Sequence, residues 1–404
     1  MDAFPNVLAV GQARAGDEGS QWAGLYRSIV QFAGHRGRSA TTVPRMSRTY
    51  RILAAAALAA VPLAAAAPAP AAPVVNKVVV IGIDGTLWSE VSAADAPNLD
   101  RLAAEGTLAR TSIAPHTTMS CVSWATALTG VWDDKHGIQD NGSTCNAGPF
   151  AQYPTVFTQV ERERPSLSTA SIGTWDKIGM IARTGSPQAD RVAVTQIDPT
   201  GAGVCETTAD SNATAQVVSA ITEDGTDLLF THLDQVDIVG HTLRGIWPQA
   251  YRDAIGRADD LVGKITAAVD ARAASHANER WTILVTTDHG HKPDGGHGGQ
   301  SAYETASFVI ARGAGFAAGT QNNGYTLADI TPTVLDLLDI PAPANLDGES
   351  MLTGGSGNPA APAPNTPPVD SGITGSSSGS AQAAMVANPL CLLGSGSASG
   401  SSER

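Results

Sequence analysis

The sequence predicts an α/β protein, a mostly parallel central sheet with helices on both faces, flanked by disordered termini. Three observations carry that prediction. Residues 77–83, KVVVIGI, are apolar without polar alternation, the pattern of a central strand covered on both sides. Strand-like and helix-like runs then alternate, which implies parallel strands joined by helices that pack back on the sheet. The two ends, finally, differ in composition from residues 74–350, which are expected to form the folded domain.

The first strand ends in Asp84 and Gly85. Pro97 to Ala103, with Gly106 beyond, has proline at the first helical position and glycine past the end, so a short helix is expected there. A second helix is expected from Val122 to Thr129, closed by Gly130. Leu167 to Gly173 and Arg191 to Gln196 read as strands, and Asp227 to Leu233 as a stronger one. Between Pro248 and Ala273 the residues Tyr251, Ile255, Ala258, Leu261, Val262, Ile265 and Val269 recur at helical spacing, predicting a long amphipathic helix. Trp281 to Thr287 follows as a β-branched, apolar strand, Ser307 to Ala311 as another, and Ile330 to Leu338 as the last helix.

Residues 1–45 lack sustained apolar periodicity and read as a non-native or disordered leader. From Met46 onward, Arg48 and Arg51 precede an alanine-rich run that ends in the small residues Ala65, Ala66 and Ala67. That is the three-part layout of a secretory signal, so 46–73 is expected to be a signal peptide and the protein secreted or associated with the cell envelope. The run is too short and too weakly apolar for a comfortable membrane span. Residues 351–404 are rich in Gly, Ser, Pro and Ala, the composition of a flexible tail. A formal charge of −13 with no basic run argues against a nucleic-acid partner. Cys121, Cys145, Cys205 and Cys391 show no CxxC spacing, and export would allow Cys145 and Cys205 to pair.

The chemistry concentrates after the Trp281 strand, where Asp288, His289, His291 and His297 share a glycine-rich loop. Oxygen and imidazole donors at that density suit a borderline cation such as zinc. Other strand ends supply more donors: Asp84 after the first strand, and Asp237 with His241 four residues on, so that both can meet one ion. In open parallel sheets ligands bind beyond the carboxyl ends of the strands. Ser120 leads into a helix, where unpaired N–H groups and the positive end of the dipole favour its alkoxide and an incoming phosphate.

Taken in order, Asp84-Gly85, Ser120 with Thr129-Gly130 and His136-Gly137-Ile138, Asp237 with His241, Asp288-His289-Gly290 and His297-Gly298-Gly299 resemble the alkaline phosphatase superfamily. The set is most similar to its type I phosphodiesterase/nucleotide pyrophosphatase branch, and Asp329 to Leu335 and Leu346 to Gly348 are similar to the superfamily's closing helix and loop. The resemblance implies two divalent ions, expected to be zinc. One would be held by Asp237, His241 and His297, the other by Asp84, Asp288 and His289, with Ser120 facing both as nucleophile and ligand. It further implies cleavage of a phosphodiester or pyrophosphate bond in a small phosphate ester, through a phosphoseryl intermediate on Ser120. Asn141 matches an asparagine that often follows the His-Gly-Ile motif and is assigned no catalytic role.

The departures from the branch matter. It usually carries threonine where Ser120 stands and asparagine near Ser123, so Ser123 and the amides of Ser120 and Cys121 become the candidates for holding a nonbridging oxygen. His291 is a candidate for a supporting role or a substrate contact. Val122 and Trp124 replace the proline and arginine of sulfatase motifs, which argues against a sulfatase. No arginine lies beside Ser120 to clasp a dianionic monoester, which favours diesters or pyrophosphates. The alternatives are a phosphomonoesterase or phosphonate hydrolase using the same metals, a metal-dependent phosphosugar mutase, and an exported zinc-binding protein with a decayed site.

Overall fold

The computed structural model describes residues 72–142, 145–195, 206–242 and 249–357. The leader, residues 46–71 of the signal segment, Cys205, Cys391 and the tail beyond 357 lie outside the described residues. The first part of the chain forms β1 (Val75–Ile83), α1 (Trp88–Val91), α2 (Pro97–Glu105), β2 (Thr107–Ser112), α3 (Ser120–Thr129) and α4 (Asp133–His136). There follow α5 (Val156–Glu163), β3 (Thr169–Gly173), α6 (Asp176–Ala182), β4 (Arg191–Val194), α7 (Glu206–Ser219) and β5 (Leu228–Leu233). The last part holds α8 (Gln235–Thr242), α9 (Gln249–Ser275), β6 (Glu279–Thr286), β7 (Ala306–Arg312), β8 (Thr320–Gln321) and α10 (Ile330–Leu337).

Among the described residues all eight strands join one sheet in the order β4-β3-β5-β1-β6-β7-β2-β8. Neighbours are parallel except at β6–β7 and β7–β2, so β7 alone runs against the rest. Strand periodicity sends alternate β1 residues to opposite faces. Val79, Ile81 and Ile83 pack with Leu99 and Leu102 of α2 and with Tyr251, Ile255 and Val262 of α9. Val78 and Val80 pack with Trp124 and Leu128 of α3, Phe157 of α5 and Val334 of α10. Each such fully buried Val, Leu, Ile or Phe contributes roughly 1.5 to 3 kcal/mol relative to exposure, which explains the unbroken apolar run in β1. The mostly parallel sheet with helices on both faces is therefore present, as the sequence predicts.

Two expectations need correction. The helix expected from Val122 starts at Ser120, with the Ser123 amide already donating to the Met119 carbonyl, so Ser120 is the first helical residue. Cys145 pairs with Cys121, their Cα atoms 5.7 Å apart, and not with Cys205. The chain after α4 folds back over the first turn of α3 and carries Cys145 to the residue beside Ser120, a return that spacing alone does not reveal. Among the described residues no helix is long and apolar enough to cross a membrane.

Candidate active site

The site lies where β5, β1 and β6 end side by side. Asp84 follows β1, Asp288 follows β6, and α8 leaves β5 carrying Asp237 and His241 on successive turns. The start of α8 is held from behind by Asp210 of α7, whose carboxylate accepts from the amides of Asp234 and Gln235 at 3.0 and 3.1 Å. Those are the orphan N–H groups of a helix start, and capping them fixes the entry angle of the helix that carries Asp237. Gly85 has φ +63°, and a Cβ there would run into His291 Nε2 and Asp237 Oδ1, so this turn admits only glycine.

Asp84, Ser120, Asp288 and His289 form one group. Ser120 Oγ is 3.1 Å from His289 Nε2 and 3.5 Å from Asp84 Oδ1. His289 Nδ1 donates to the Gly290 carbonyl at 3.0 Å, so in the neutral ring Nε2 presents its lone pair. Burial pushes the His289 pKa down to about 3, which keeps the ring neutral, as a metal ligand must be. Asp288 Oδ1 accepts from the Gly85 amide, whereas the fully buried Oδ2 accepts no hydrogen bond and lies 3.2 Å from His289 Nε2. Burial, reinforced by the charge of Asp84, pushes the Asp288 carboxyl well up.

Asp237, His241, His291 and His297 form the second group. Asp237 Oδ1 is 2.7 Å from His291 Nε2 and 3.7 Å from His297 Nε2, and Oδ2 is 3.4 Å from His241 Nε2. His241 and His297 bring their Nε2 atoms within 3.0 Å of each other. Burial alone would raise the Asp237 carboxyl, but His241, His291 and His297 outweigh it and hold it well below the usual range. His297 is oriented by Thr118: its Nδ1 donates to the Thr118 carbonyl at 2.7 Å, while the Thr118 hydroxyl accepts from the Gly298 amide and donates to the Gly299 carbonyl. The same short strap thus holds His297 and, two residues later, Ser120. The two groups meet where His289 and His297 stack at 3.8 Å between ring centroids.

Both groups fit divalent cations by their chemistry. An orphaned buried carboxylate oxygen on Asp288, and the His289 and His297 rings whose Nδ1 atoms donate to carbonyls and leave Nε2 lone pairs turned inward, suit a cation. Asp84, Asp288 and His289 offer donor atoms within 4.8 Å of one another, and so do Asp237, His289 and His297, and Asp237, His241 and His291.

The other candidates fall out as follows. His291 is fully buried against Asp237 instead of exposed on the loop. The Ser123 hydroxyl is buried and donates to the Thr117 carbonyl at 3.3 Å, and the Cys121 amide is taken by Asn141 Oδ1 at 2.8 Å. Sequence reasoning missed His232, Trp124, Thr118 and Asp210. The one available signal was His232 itself, a histidine inside the apolar strand β5.

The sequence profile described as type I phosphodiesterase / nucleotide pyrophosphatase matches residues 78–297, more than half of the chain and all of both donor groups. The chain belongs to that family. A human relative of this phosphodiesterase family chain, ectonucleotide pyrophosphatase/phosphodiesterase family member 7, is 27% identical over 224 residues, which cover 53% of this chain and 48% of the relative. A 2,3-bisphosphoglycerate-independent phosphoglycerate mutase of Acinetobacter baylyi is 32% identical over 143 residues, 35% of this chain and 26% of the mutase. The chain thus spans about half the length of the first relative and about a quarter of the second. Among solved structures, human ectonucleotide pyrophosphatase/phosphodiesterase 5 superposes with a TM-score of 0.53 at 12% identity, covering 67% of this chain and 96% of that one. At that identity the likeness is one of fold.

Proposed function

We propose that this family member is an exported hydrolase that cleaves phosphodiester or pyrophosphate bonds of small phosphate esters through a phosphoseryl intermediate on Ser120. The observation that carries the reading is the position of Ser120, its hydroxyl 3.1 Å from His289 Nε2 and 3.5 Å from Asp84 Oδ1 at the start of α3, within one group of cation donors that adjoins a second through the stacked His289 and His297. Asp84, Asp288 and His289 would hold one divalent ion, and Asp237, His241 and His297 the other. His291, bonded to Asp237, would orient that carboxylate. When bound, two zinc ions would supply Lewis-acid charge stabilisation at the phosphoryl group and at the Ser120 hydroxyl.

Ser120 Oγ attacks phosphorus in line, the Oγ–P bond forms as the bond to the leaving oxygen breaks, the hydroxyl proton passes through solvent to the leaving oxygen, and the phosphoryl group stays on Ser120 with its remaining ester. Water then cleaves the Oγ–P bond and returns the hydroxyl. The first turn of α3 contributes amide dipoles at the attacking oxygen of Ser120. Asn141, anchored through Oδ1 on the Cys121 amide, keeps its NH₂ as a donor for a nonbridging oxygen.

Among the described residues, no arginine or lysine hydrogen-bonds to Ser120 or to the surrounding carboxylates, which favours a singly charged diester over a dianionic monoester. The Cys121–Cys145 disulfide supports export, since such bonds persist in oxidising compartments. The zinc-loaded protein is expected to turn over a bis-nitrophenyl phosphodiester faster than the nitrophenyl monoester, to lose activity with a chelator and to regain it with zinc. A monoester preference would favour the phosphomonoesterase alternative, and zinc binding without turnover the decayed-site alternative.

A further inference from the structure

We propose that His232 and Trp124 are positioning residues that saturate one oxygen of Asp84 and leave the other as its single ligand atom. The inference rests on the two-ion reading above and deepens it. Asp84 Oδ2 accepts from Trp124 Nε1 at 2.8 Å and stands 2.8 Å from His232 Nε2. A carboxylate only accepts, so the imidazole is the donor, and two N–H groups occupy both lone-pair directions of Oδ2. Oδ1 is left facing Ser120 and His289, at 3.5 and 3.7 Å. Asp84 is thereby a one-oxygen ligand with a fixed carboxylate plane, and the two donors determine which oxygen meets the ion.

The strands are built to hold this clamp. His232 of β5 is the register partner of Gly82 of β1, so the two sit side by side on the sheet. A Cβ at Gly82 would collide with the Trp124 ring, and only a bare Cα lets the indole lie across β1 and reach Asp84. Trp124 meets His232 edge-on, ring centroids 5.4 Å apart at 84°, and both side chains are fully buried. The clamp also settles a neighbouring ambiguity. Asp84, His232 and Asp234 bring donor atoms within 4.8 Å of one another, a further constellation of cation donors that shares Asp84. With both lone pairs of Oδ2 taken and His232 donating through Nε2, that constellation is a hydrogen-bonded wall and not a further ion site beside Asp84.

The test is zinc titration of the metal-free full-length chain, read by competition with a chromophoric chelator and by elemental analysis. The wild type takes up two equivalents. Trp124→Phe, which keeps a ring but loses the N–H, and His232→Leu each weaken one site by about 10- to 100-fold, the usual effect of removing the partner of a metal ligand, and leave the other site unchanged. His232→Gln, which restores an N–H donor, recovers most of the affinity. Thermal unfolding of the metal-free forms separates packing damage from this effect, and if His232→Leu fails to fold, Trp124→Phe alone decides. Wild-type affinity at both sites in the folded variants overturns the proposal, as does a third equivalent in the wild type that His232→Leu removes. A wild type that binds no zinc overturns the two-ion reading and the clamp with it.

Discussion

His136 is committed to the neutral form by its hydrogen bonds. Its Nδ1 accepts from the Ile138 amide at 3.2 Å, which leaves Nε2–H to meet the Thr126 hydroxyl at 3.0 Å and ties the turn after α4 to α3. Burial pushes its pKa down to about 4. The folded value lies below the unfolded one near 6.5, so the unfolded chain takes up the proton first and stability falls as pH drops through that window. The loss by the acid end is about 3 kcal/mol, and urea denaturation at stepped pH should show a shallower decline for His136→Gln; equal slopes would contradict the assignment. At this scale the sequence exposes donors better than directions. Asp84, Asp237, His241, Asp288, His289 and His297 were legible because they follow apolar strands, where ligands of parallel sheets collect. Ser123 misled because spacing does not say which way a hydroxyl turns, and here it turns to Thr117. His232 stood out in the sequence as a histidine inside β5, but one histidine in an apolar strand reads as core, and its partner Asp84 lies 148 residues away.

Among the elements, α2 and α9 are joined by a cap that crosses the chain. Asp259 of α9 accepts from the Leu99 amide at 2.7 Å and from the Asn98 amide at 3.1 Å, satisfying the free start of α2. Asp259→Ala should destabilise the protein by about 1 to 2 kcal/mol, measured as a lower urea midpoint at constant slope; an unchanged midpoint would show that the cap is dispensable. The apolar stripe of α9 was legible because its seven periodic residues are all buried. By contrast α7 was not, since its buried face mixes the small residues Ala209 and Ala213 with Asp210 and Thr214. That helix packs behind the polar floor of the site, and the need for carboxylates there erases the amphipathic pattern. Likewise β2 has Leu108 as its one large apolar residue, and it is recognisable only through its pairing with β7.

For the whole molecule, the fold turns distant stretches of sequence into one pocket. Seven strands point the same way, three of them end together, and Thr118 links the Ser120 turn to the His297 loop. The pocket also gathers buried acid beyond the metal donors: burial pushes the Glu206 carboxyl up to about 8 and, with Glu206 beside it, raises Asp234 as well. A site so rich in carboxylates is suited to cations, and Ser120 stands among them. The most direct measurement is an acid quench of the zinc-loaded protein during turnover of a bis-nitrophenyl phosphodiester, followed by mass spectrometry of the peptide that contains Ser120. The account predicts a nitrophenyl phosphoryl group on Ser120, with no adduct and no turnover in Ser120→Ala. Sustained turnover by Ser120→Ala, or an adduct on a different residue, would contradict it.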